Sequence, residues 1–133
     1  MIDFENQIYT AIATKLRTEV SGIKCKSTSI YEPTEFPMAC IEEADNYANR
    51  ATRDTATNEN YADVMYEVNV YSNKANTAKS EAKKILTVID EEFDRLGFTR
   101  TVKTIVPMNN AQICRIVARY QATIGKDGQI YRR

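Results

Sequence analysis

The chain has 133 residues, enough for one domain whose core would bury about two thirds of the surface the unfolded chain exposes. Eighteen lysines and arginines balance eighteen aspartates and glutamates, so there is no overall basic field to attract nucleic acid or an anionic membrane. Histidine is absent and there are only four glycines, with no glycine-rich phosphate loop, no G-x-S-x-G and no H-E-x-x-H, so neither catalysis nor a cofactor nor a metal is expected.

No apolar run approaches the ~20 residues that span a bilayer, and the opening MIDFENQIYT lacks the basic-then-apolar order of a secretory signal. The expected setting is the cytosol. Cys25, Cys40 and Cys114 are odd in number and form no C-x-x-C, which points to reduced, small buried hydrophobes rather than disulfides or a zinc site; a lone reactive thiol is the sharper alternative.

In chain order, Phe4, Ile8, Ala11, Ile12, Leu16 and Val20 recur at intervals of three and four, which predicts a helix over residues 2–20 with Asp3 as N-cap and Gly22 as stop. IKCKSTSIY alternates and predicts a short strand, followed by EPTEFP, where Pro33 and Pro37 exclude helix. MACIEEADNY predicts a second strand. YADVMYEVNVYS predicts a third, with Val64, Tyr66, Val68 and Val70 on one face and Asp63, Met65, Glu67 and Asn69 on the other.

Between these two strands lies DNYANRATRDTATNEN, residues 45–60, without glycine, proline or any aliphatic side chain larger than alanine. A hairpin needs only two to five loop residues. The stretch is therefore either a polar arm that finds its contacts on a partner or a solvated loop with none.

After SNKANT, the stripe Ala78, Ala82, Ile85, Leu86, Ile89, Phe93 and Leu96 predicts a second helix, with Gly97 as its left-handed cap and Phe98 folded back on the last turn. FTRTVKTIVP predicts a strand, and Pro107 with two asparagines a turn. ICRIVARYQATI predicts another strand, with Cys114, Ile116, Ala118, Tyr120, Ala122 and Ile124 opposite Arg115, Val117, Arg119 and Gln121. GKDGQ then turns the chain and IYRR ends it.

The order helix-strand-strand-strand-helix-strand-strand, with connections too short for crossovers except at the second helix, predicts an α+β fold. It would be a largely antiparallel sheet of about five strands with both helices on one face. Ile85, Leu86, Ile89 and Phe93 should pack on Val64, Val68, Ile116 and Ala118. The opposite face, with Glu67, Asn69, Arg115 and Arg119 mixed with Met65 and Val117, suits solvent or a polar subunit contact better than a second buried layer.

This order of elements, together with YEVNVYSNKANTAKSEAKKIL, the GFTRT after the second helix and the closing IYRR, resembles the small tail-terminator or tail-completion proteins of long-tailed bacteriophages, prophages and phage-tail-like particles. The resemblance spans nearly the whole chain and rests on patterns of strand and helix. It implies a structural subunit that forms a ring, commonly a hexamer, on the last ring of the tail tube, stops tube growth and offers a surface for neck or head joining. The implied partners are further copies of itself, the tail tube protein and a neck or head-tail connector protein, with no membrane, no cofactor and no specific nucleic-acid binding. A balanced charge would suit DNA passing through the lumen. The implied location is the head-proximal end of the virion tail, after assembly in the host bacterial cytoplasm.

On this reading the candidate assembly contacts are Arg50, Arg53, Asp54 and Glu59 in the polar arm, and Tyr131, Arg132 and Arg133 at the end; a solvated terminus is the alternative for the last two. Three rivals stand beside it. One is a head-tail joining or neck protein of the same particle. Another is a small ribonuclease toxin built on Arg115, Arg119, Glu67 and Tyr120, which the neutral charge and the placing of Tyr120 opposite the two arginines oppose. The third is an ordinary bacterial subunit that dimerises through its open sheet face.

Overall fold

The fold is seen in a computed structural model that describes residues 1–30, 32–48 and 60–132. Along the chain run α1 (Glu5–Glu19), β1 (Lys24–Lys26), β2 (Met38–Ala48), β3 (Tyr61–Ser72), α2 (Ala78–Leu96), β4 (Thr99–Val106), β5 (Cys114–Gly125) and β6 (Ile130–Arg132). The strands form one sheet in the order β1-β2-β3-β5-β4, and β6 continues along the β4 side of β5. The architecture is α+β, as the alternation and the helical stripes predict, with both helices on one face of a mostly antiparallel sheet.

The helical stripes bury as their spacing requires. Ile8, Ile12 and Leu16 of α1 and Ile85, Leu86, Ile89 and Phe93 of α2 share one buried cluster with Val64, Val68, Ile116 and Ala118 of the sheet. At its centre Phe93 stacks on Tyr120 with ring centroids 4.3 Å apart, and Phe98 meets Phe93 at 5.1 Å and Tyr66 at 5.5 Å edge-on. Such geometries add to the burial of four large rings. Phe98 reaches this position because α2 ends at Gly97 with φ +107°, after which the Phe98 N–H donates to the Phe93 carbonyl at 2.9 Å. A left-handed residue at this point costs little only when it is glycine.

Several local expectations are corrected. Phe4, not Asp3, holds the N-cap position of α1, although Asp3 Oδ1 still accepts from the Glu5 N–H at 3.1 Å. The first strand is only Lys24–Lys26 and runs parallel to β2, because residues 27–37 carry the chain back to the end of the sheet where β1 began. Among its described residues that crossover contains no helix, contrary to the expectation that such connections would be too short. A sixth strand, Ile130–Arg132, pairs with Ala122, Thr123 and Ile124.

The face away from the helices is also less open than expected. At one end Met38, Cys40 and Tyr71 form a second buried cluster against Ile30, Phe36, Met108 and Ile113. The proline-containing connections carry these apolar side chains over the sheet, where strand alternation gives no sign of them. Asp45, Asn46 and Tyr47 belong to β2, as the strand predicted over MACIEEADNY requires, and β2 runs on to Ala48; these residues pair with Met65, Val64, Asp63 and Ala62 after a register shift at Ala44. The three cysteines are free, and burial pushes the Cys25 and Cys40 thiols above their ordinary value, which makes them poor nucleophiles.

Candidate assembly surface

The sheet face opposite the helices is built from the odd positions of β3 and β5. Register places Glu67 opposite Arg119, Asn69 opposite Val117 and Met65 opposite Gln121. Most of its polar groups are engaged with one another. Arg115 donates from Nε to Asn69 Oδ1 at 2.9 Å, with its guanidinium 5.8 Å from the Tyr71 ring centre. Thr123 donates to Asp63 Oδ1 at 2.7 Å, and Arg119 lies 3.9 Å from Glu67. Glu42 stands opposite Glu67 and is held instead by the Ser29 N–H and hydroxyl. At the far end Tyr61 and Tyr131 meet edge-on at 5.6 Å.

The sheet also ends on a long exposed edge. Among the described residues β4 pairs with β5 alone, and six consecutive residues from Arg100 to Ile105 are exposed. Val102 keeps 41% and Ile105 45% of their surface in solvent, one toward the open face and one toward the helix side. A strand edge of this length presents unpaired N–H and C=O groups that a further strand can satisfy. Lys103 and the register shift between Arg100 and Val102 limit how freely it pairs.

Of the residues marked as assembly contacts from sequence, Arg50, Arg53, Asp54, Glu59 and Arg133 lie outside the described residues. Tyr131 sits on the open face, partly exposed. Arg132, half exposed, is directed along the surface at the end of α2. Its Nη1 reaches Asp94 Oδ1 at 2.9 Å and the Phe98 carbonyl at 2.8 Å, and its Nη2 reaches the Asp94 carbonyl at 3.0 Å. A cation on these carbonyls suits the negative end of α2, so Arg132 fastens β6 to that helix.

The set weighed for ribonuclease activity is not brought together: Tyr120 donates to Asp90 Oδ1 at 2.9 Å on the helix face, away from Arg115 and Arg119. Burial, with Asp90 beside it, pushes the Tyr120 hydroxyl far above its ordinary value. Sequence reasoning missed the β4 edge, since edge position follows from strand order. The signal available was that β4 carries Val102 and Ile105 on opposite faces, so that one of them was bound to lack a core to enter.

Among the described residues no group of three or more Cys, Asp or Glu is placed to hold a metal, and no helix is long and apolar enough to cross a membrane. No protein-family model matches the sequence, and no curated protein matches it.

Proposed function

We propose that this protein is a structural subunit of a phage tail or phage-tail-like particle, a tail terminator that caps the tube and provides the surface for neck joining. The observation that carries the reading is the strand edge of β4, which among the described residues has no partner on its outer side, with Val102 and Ile105 exposed beside a polar sheet face that no described helix covers. Such an edge suits a subunit completed by neighbours. The family-like order of elements across nearly the whole chain supports it, as does the balanced charge. The polar groups of the open face are engaged with one another in pairs, an arrangement that serves a contact surface better than a reaction.

Deleting the gene from its particle-producing host tests the reading: tails of uncontrolled length, or tails without heads, are expected by electron microscopy. Tails of normal length joined to heads would overturn it. The double variant Val102→Asp with Ile105→Asp should fold like wild type, since exposed positions usually change stability by no more than about 0.5 kcal/mol each, yet fail to restore normal tails. Labelling at the head-proximal tip distinguishes a terminator from a protein seated higher in the neck. RNA cleavage by the purified protein would put the ribonuclease reading in its place.

A further inference from the structure

The register shift at Ala44 has a local result: Glu43, opposite Tyr66, and Asn46, opposite Val64, face the same helix side of the sheet, although in a regular strand residues three apart point to opposite faces. Both side chains therefore meet the amino-terminal segment. Asn46 donates from Nδ2 to the Ile2 carbonyl at 2.8 Å, and Asp3 Oδ1 accepts from the Glu5 N–H at 3.1 Å. Ile2 is buried in the main cluster and Phe4 packs against it. The segment that leads into α1 is thus pinned to β2 at the place where Glu43 stands.

Glu43 is half-buried, and its Oε1 is enclosed with no hydrogen-bond partner among the described residues. The ionisable groups that face it are Asp3 and Glu5 from the start of α1 and Tyr66 from β3; Asn46 is the polar neighbour on its own strand. None of these is a cation. A carboxylate here would be desolvated and set beside two others, whereas a carboxylic acid can donate its proton to Glu5.

We propose that Glu43 is a proton-operated latch, which in its acid form ties the first turn of α1 to β2 and on losing its proton to solvent repels Asp3 and Glu5 and frees residues 1–5. The latch works near neutrality. Burial first, and then the Glu5 and Asp3 charges, push the Glu43 carboxyl up to about 7 against the opposing pull of Asn46. Because the folded value lies above the ordinary 4.5, the stability that Glu43 contributes is present below that ordinary value and is lost as pH rises through about 7.

Two measurements on the full chain test this. Carbon-13 observation of the Glu43 carboxyl should give a midpoint near 7; a midpoint in the ordinary carboxylate range overturns the proposal. The Ile8 amide donates to the Phe4 carbonyl at 3.0 Å and reports docking of the first turn. Its hydrogen-exchange protection, corrected for the intrinsic pH dependence, should fall about tenfold between pH ~6 and pH ~8. One pKa unit is a factor of ten, and the solvent screening of a half-buried group discounts the remainder. Glu43→Gln should abolish that fall and hold the protection at its acid-side level, and Glu5→Gln should reduce it. Protection that is equal at both pH values in wild type, or an unchanged fall in Glu43→Gln, overturns the latch.

Discussion

The two faces of the sheet are held by different forces. On the helix side, Tyr66, Phe93, Phe98 and Tyr120 interlock with the aliphatic stripe of two helices, so each side chain there is surrounded by others of fixed shape. On the open side, Asn69, Arg115, Glu67 and Arg119 hold one another through hydrogen bonds and charge, and water or a neighbouring protein can replace many of those partners. A packed face resists substitution because cavities do not collapse, whereas a polar face tolerates it wherever solvent can enter. The contrast indicates which side stores the stability of the subunit and which is left available for association.

The largest expected effect lies at the centre of the packed face. Phe93→Ala removes the ring that touches Tyr66, Phe98 and Tyr120 and should cost ~3–5 kcal/mol, read as a lower midpoint in urea. An unchanged midpoint would mean that α2 does not dock on this face through Phe93. Among the polar groups of the open face the largest effect should come from Asn69, which is 2% exposed and accepts from Arg115. Asn69→Ala should cost ~1–2 kcal/mol, and a cost equal to that of Phe93→Ala would erase the contrast between the packed and the polar groups.

A smaller loss, ~1 kcal/mol, is expected for Arg132→Ala, through release of the carbonyls of Asp94 and Phe98 and of the Asp94 carboxylate. Loss of exchange protection in β6, with β4 unaffected, would locate the effect. Arg119→Ala should be the mildest, no more than about 0.5 kcal/mol, since the 3.9 Å pair with Glu67 is well solvated. A cost above 1.5 kcal/mol, measured in a double-mutant cycle with Glu67→Ala, would show that the polar face is far more rigid than its exposure suggests.

The long periodic elements were legible in the sequence because each carries its own evidence of burial. Ile85 to Phe93 could lie on no stripe but a helical one, and the even positions of β3 and β5 enter the core as their alternation requires. What escaped was set by partners distant in sequence. Lys24–Lys26 and Ile130–Arg132 are too short to show a period, and their pairing depends on where residues 27–37 and 126–129 deliver them. Ala44 is one small residue among others, and nothing nearby announces that the register shifts there. Of the proposed contact residues, Tyr131 could be read as exposed, whereas the engagement of Arg132 with α2 depended on that helix ending within its reach.

The strand order bears on how the chain finds its fold. β5 lies between β3 and β4, although β4 is made first, so β4 has nowhere in the sheet to go until β5 exists. β2 with β3, and β4 with β5 and β6, are the antiparallel sets joined through their own connections, and the seam between them is the β3–β5 pairing of twelve residue pairs from Tyr61↔Gly125 to Ser72↔Cys114. Every pair along that seam is separated by α2 and β4, so the entropy of closing a large loop is spent before its contacts form. Refolding should therefore be governed by the docking of two preformed halves, on the millisecond-to-second scale of non-local topologies rather than the microseconds of a helical bundle. Stopped-flow refolding complete within ~100 μs would refute that route.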